Sequence, residues 1–248
     1  MAMAKLPLLD VELDPAPLLE AVAAKRRQQG WLLGRAGDDV KAYMDPEQAQ
    51  KIADQIFGPA SQMDPYAHGA YEPTGALKQS IADAQATIAQ NYPDWSRCRE
   101  LPVRVLISTY PYILGYSCLL HPQTIYLGLP SFGGNSPDLL VDNYLHEYAH
   151  IWLYLVQEIS PFSAERHGRR YTLPSGTSNR SVTATVDAAY VAAVLRKYYH
   201  KTGNVERRRE LTAYLAGCLM QIRNDPDLTA IGLSVCRRLA QEVASAPS

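Results

Sequence analysis

Apolar residues recur at helical spacing along most of the chain and form β-rich runs in only two short stretches. Leu77, Ile81, Ala84 and Ile88 lie three or four apart, which predicts a helix over Thr74 to Gln90 closed by Pro93. A second pattern predicts a helix from Pro17 to Gln29, stopping at Gly30, a residue suited to the position just past a helix end. Asp45-Pro46-Glu47 joins an N-cap residue to a proline at the first helical position and predicts a helix to about Phe57.

The pattern then changes. Val103 to Ser108 (VRVLIS) and Thr124 to Leu129 (TIYLGL) read as short strands, joined by a connection from Tyr110 to Gln123 rich in Tyr, Pro and Gly. Residues Ser131 to Asn135 read as a flexible turn. Ser136-Pro137-Asp138 then opens a helix that runs to about Gln157. A loop from Ile159 to Arg180 follows, carrying Arg166, Arg169, Arg170 and Arg180. Three further helices are predicted: Ser181 to His200, Val205 to Ile222, and Pro226 to Val243 with Asp225 as cap. The fold class is α+β, mostly helical, with a small sheet just before the 136–157 helix. Residues 1–95 form a helical region and 96–248 the core, together one compact unit.

Composition adds three constraints. The 24 Lys and Arg nearly balance the 25 Asp and Glu, which argues against nucleic acid or an anionic membrane as partner. No run approaches the roughly 18 apolar residues of a membrane span. The four cysteines are widely spaced without a CxxC pair, so they read as buried free thiols and point to the cytoplasm.

The chemistry concentrates in His146-Glu147-Tyr148-Ala149-His150. On a helix, positions i and i+4 share a face one turn apart, so both imidazoles can serve one metal ion and Glu147 can address a water beside it. A catalytic metal needs a third protein ligand. The positions that would mark a metzincin hold Leu153 and Val156, which excludes that class, and the zone of a thermolysin-type glutamate holds Arg169 and Arg170. Asp187 is the leading candidate, because a carboxylate within VTATVDAAYVAAVL is costly to bury unless paired or bound to a cation. Tyr190 shares its face and could donate to an oxyanion. His167, on the intervening loop, competes as ligand. His121 and His68 read as surface loop residues, and Asp142 or Asn143 could orient an imidazole from the preceding turn.

HEYAH followed by TVDAAY resembles the aspzincin metallopeptidases, whose second motif reads G-T-x-D-x-x-Y-G. The match covers His146, Glu147, His150, Thr185, Asp187 and Tyr190, while Ala184 and Val191 replace the flanking glycines. The resemblance implies zinc on His146, His150 and Asp187, with Glu147 as base and a zincin-like core. Such a core would make TIYLGL an edge strand for an extended peptide. A second resemblance is to HExxH-type peptide hydroxylases that depend on iron and 2-oxoglutarate. There the same three ligands would form a facial triad for Fe2+, and the loop arginines would clamp the cosubstrate carboxylate.

The sequence thus predicts a zinc-dependent metallopeptidase or amidohydrolase acting on a peptide or small amide, with Arg170 and Arg180 as substrate contacts. The alternatives are an Fe(II) oxygenase and a non-catalytic metal-binding interaction domain.

Overall fold

The computed structural model describes residues 15–29, 50–51, 54, 67–95, 98–133 and 138–244. It shows an α+β protein, mostly helical, with one three-stranded mixed sheet among the described residues. The chain divides into two units, Asp14–Leu155 and Val156–Ser248 with Met1–Leu13, the boundary falling inside one helix.

In the first unit, α1 spans Pro15–Gln28 and α2 spans Gly75–Asn91, close to the predicted bounds. Gly30, the predicted stop of α1, lies outside the described residues. So does most of the predicted 45–57 helix, of which residues 50, 51 and 54 are helical. Ile81, Ala84 and Ile88 are the buried stripe of α2, as their spacing requires.

The two predicted strands are β1 (Arg104–Ser108) and β3 (Thr124–Gly128). Between them the structure adds β2, Gly115–Tyr116. A two-residue strand containing glycine has no alternation to read, so the 110–123 connection concealed it. The sheet order is β1-β3-β2, with β3 parallel to β1 and antiparallel to β2. TIYLGL is therefore the central strand and not an edge, which corrects the expectation. Every residue of β3 is buried, as suits a strand with neighbours on both sides. At Gly128 a Cβ would stand 1.8 Å from the Ile113 carbonyl oxygen, so only glycine lets the β2 approach pass this closely.

The predicted flexible turn begins as a 3₁₀ segment, Leu129–Phe132. The motif helix, α3, spans Asp138–Ile159, and its proposed cap at Ser136 lies outside the described residues. Trp95, Ile107, Ile125, Leu127, Leu145 and Trp152 form the heart of this unit's core. Tyr148 of α3 donates to the carbonyls of Cys98 (2.7 Å) and Leu101 (2.9 Å), satisfying two backbone acceptors.

In the second unit, α4 (Val182–Thr202) packs along α5 (Val205–Ile222), and α6 (Ala230–Ala244) packs on both. The Ser181 side chain caps α4, Gly203 closes it at φ +78°, and Asn204 caps α5. The last helix begins later than predicted. Asp225 spends its side chain on the Asp227 N–H (2.8 Å) and the Tyr171 hydroxyl, so residues 225–228 form a turn. Thr229 takes over near the helix start, its hydroxyl accepting from the Gly232 N–H at 3.1 Å. Among the described residues no helix is long and apolar enough to cross a membrane.

Candidate metal centre

Helix α3 carries His146, His150 and Tyr154 at successive turns of one face. The histidine rings are 5.0 Å apart between centroids, and Tyr154 stacks on His150 at 5.7 Å with 20° between planes. His146 is 43% exposed at its side chain and His150 is half-buried, so the pair is open to a ligand from one side.

Glu147, the next residue after His146, packs against Gly115 of β2 and Ser117. It is only 6% exposed. The Ser117 hydroxyl donates to its Oε2 at 2.7 Å, and Oε1 lies 4.0 Å from His146 Nε2. Gly115 backs the carboxylate: a Cβ there would stand 2.8 Å from both Glu147 Cγ and Oε1. Burial raises the carboxyl's pKa, opposed by His146 and by the Ser117 hydrogen bond. A carboxylate with a raised pKa binds a proton more tightly, which is what a general base requires near neutral pH.

Further bonds fix this arrangement. Tyr154 Oη donates to the Ser117 carbonyl at 3.2 Å, so Ser117 holds α3 through both its side chain and its backbone. Asn143, one of two residues that could have oriented an imidazole, donates to Ser131 Oγ at 3.1 Å. Ser131 in turn donates to the Leu114 carbonyl at 2.5 Å. That relay secures the entry to β2. His121 is no surface residue: it is 3% exposed, edge-on to Tyr126, whose hydroxyl is 2.9 Å from Nδ1. His68 is exposed, as expected.

Within the second unit, Asp187 lies on α4, 6% exposed, and its Oδ1 accepts from the Gln157 amide at 2.6 Å. Burial pushes its pKa up to about 8 despite that bond. Tyr190, one turn on, is completely buried. His167 is engaged by Asp227, which accepts the ring Nδ1 at 2.7 Å and the backbone N–H at 2.9 Å. Burial opposes ionisation of Asp227, yet the His167 donors, its charge and the Arg166 N–H hold the carboxyl below its usual range. Arg170 leans on Glu165 at 3.3 Å and Arg169 on Asp225 at 3.9 Å. Arg180 pairs its backbone with Tyr171 and is exposed.

Two imidazoles on one helix face suit a divalent first-row transition ion in donor type, and the neighbouring carboxylate suits a water beside that ion. Among the described residues, no group of three or more His, Cys, Asp or Glu is gathered in a way that could hold a metal. The histidine pair is therefore the part of the site that the geometry supplies. Gly115 and Ser117, which enclose the Glu147 carboxylate, escaped the sequence reading; the only trace was a glycine within a tyrosine-rich connection. Tyr154, four residues beyond His150, was legible from helix spacing. The four cysteines are free, and burial raises the thiols of Cys98 and Cys218 to about 12 and Cys236 to about 11. No model of a known protein family matches the chain, and no curated protein matches it.

Proposed function

We propose that this protein is a metal-dependent hydrolase, a zinc metallopeptidase or amidohydrolase, in which Glu147 is the general base. His146 and His150 would hold the zinc, with Asp187 as third ligand; the metal would supply Lewis acidity that polarises the amide and acidifies water. The observation that carries the reading is the seat of Glu147. Its carboxylate is enclosed beside the histidine pair and held by one hydroxyl donor at Oε2, which leaves Oε1 to accept a proton from the attacking water. The same oxygen can return that proton to the departing amine.

An extended peptide would be presented along β2. Among the described residues no strand pairs with the outer side of β2, and Gly115 lies in direct contact with the base. Tyr190 would donate to the developing oxyanion, and Arg180 would take a substrate carboxylate; Arg170 would share that task with its hold on Glu165. The unreactive buried thiols suit the reducing cytoplasm.

The test is to purify the chain without oxygen, measure bound metal, and compare it with Glu147→Gln on a quenched peptide library. One equivalent of zinc in both proteins is expected, with hydrolysis lowered about 10²- to 10⁴-fold in the variant. Bound iron with oxygen-dependent consumption of 2-oxoglutarate that survives Glu147→Gln would replace this reading by the oxygenase. Absence of tightly bound metal would overturn both.

A further inference from the structure

The second unit carries a groove of about 680 Å³ on its surface, lined by Ala216, Leu219 and Met220 of α5, by Arg223 just past its end, and by Leu233, Arg237, Ala240 and Ala244 of α6. This volume lies within the range of small-molecule sites. On α6 these positions fall three or four apart, so they form a second face of that helix beside the buried one containing Val235, Cys236 and Leu239. Met220 is 71% exposed, among the described residues the most exposed large apolar side chain after Tyr112. An apolar helix face left open over three turns invites an apolar occupant.

The polar groups decide which kind. The lining contains no Asp or Glu, while Arg223 and Arg237 both border it and neither has an ion pair among the described residues. The Glu242 carboxylate, the acid on α6, is committed to Arg196 (3.6 Å) and Lys197 (3.0 Å). The termination of α5 accounts for a cation at Arg223, because helix C-termini favour positive charge. Arg237 sits inside α6 and gains nothing from that effect. The groove is also polarised along its length. Arg223 and Asn224 stand at the α5–α6 turn and Arg237 two turns in, while Ala240, Val243 and Ala244 line the far end. From Leu233 to Ala244 the α6 face runs about 16 Å, room for a carboxylate beside the arginines and a medium-chain alkyl tail beyond it. Alanines at 216, 240 and 244 leave the floor low enough for such a tail to lie flat.

We propose that this groove binds a single-chain amphiphile with an anionic head, a medium-chain fatty carboxylate. Its carboxylate is received by the Arg223 and Arg237 guanidiniums, and its tail covers Leu219, Met220, Leu233 and Val243. Guanidiniums take carboxylates through paired N–H donors, and removing the tail from water supplies the remaining affinity. The site is separate from the histidine pair and does not depend on the reaction proposed for it.

The test is isothermal titration of the full chain with sodium dodecanoate below its micelle concentration, beside acetate and dodecan-1-ol. Saturable binding of one dodecanoate is expected, with acetate silent and dodecanol at least tenfold weaker. Arg223→Gln with Arg237→Gln should weaken dodecanoate at least tenfold, and Ala240→Phe should do so with both arginines present. All three residues are exposed, so folding is retained, which circular dichroism checks. No saturable binding, or binding that ignores these variants, overturns the proposal. So does equal affinity for the alcohol. A chain that is dimeric in solution and becomes monomeric on Met220→Glu also overturns it, since the face would then be an interface between copies. Binding only to anionic phospholipid vesicles, and not to dodecanoate, would assign the arginines to a membrane surface and overturn it too.

Discussion

Asp187→Asn removes an ionisable group from the interior of α4 while keeping an oxygen to which Gln157 can donate. The carboxyl's pKa moves from an ordinary 3.8 to about 8 in the folded chain, because burial disfavours the ionised form. A raised carboxyl pKa means that the native state keeps a proton which the unfolded chain releases. Stability is therefore unaffected below about pH 4 and falls as pH rises through 4 to 8. At about 1.4 kcal/mol per unit, keeping Asp187 protonated while the unfolded chain releases its proton costs the metal-free protein about 3 kcal/mol at pH 6 and on the order of 5 kcal/mol at pH 8. That is a large share of the 5–15 kcal/mol typical of a folded domain, so the effect is well within reach of measurement. The assay is urea unfolding of chelator-treated wild type and Asp187→Asn at pH 5, 6, 7 and 8. The variant should gain on the wild type steadily with pH. Added zinc should remove the wild type's loss at pH 8, because a cation on the carboxylate favours its ionised form, and should stabilise the variant far less. Parallel pH curves for the two metal-free proteins would refute the burial argument. An undiminished zinc response in Asp187→Asn would remove this residue from the ligand set.

Gly115→Ala places a methyl group 2.8 Å from Glu147 Cγ and Oε1, so the carboxylate proposed as base must move. Overpacking of this kind costs about 1–3 kcal/mol, and an ångström of misplacement lowers turnover by about 10²-fold. Turnover measured at unchanged metal content checks this, and wild-type rates would show that Glu147 is not the base. Tyr148→Phe leaves the Cys98 and Leu101 carbonyls without their shared donor in a buried site. Urea unfolding should register a loss of about 1–3 kcal/mol, and no loss would mean that water replaces the phenol.

Local sequence dictated the helices. The 3.6-residue recurrence of Ile81, Ala84 and Ile88, and the caps at Ser181 and Asn204, set α2, α4 and α5 within a residue or two, because these signals lie within a few positions of what they control. The histidine pair was equally legible, since i and i+4 on any helix share a face. Signals that depend on distant partners were not. Asp225 looked like a helix cap until Tyr171, 54 residues away, claimed its carboxylate. Asn143 could be read as surface or as an imidazole partner until Ser131 was brought within reach of its amide. His121 looked like loop surface until Tyr126 closed over it. The sharpest case is Glu147: its place in HEYAH follows from the chain alone, but its environment does not. Gly115, on a strand too short to announce itself, and Ser117, just past its end, enclose that carboxylate from about 30 residues upstream. Periodicity determined which residues face together on one helix. Only the tertiary fold decided which of them left water, because burial depends on what packs against a face and not on the spacing that creates it.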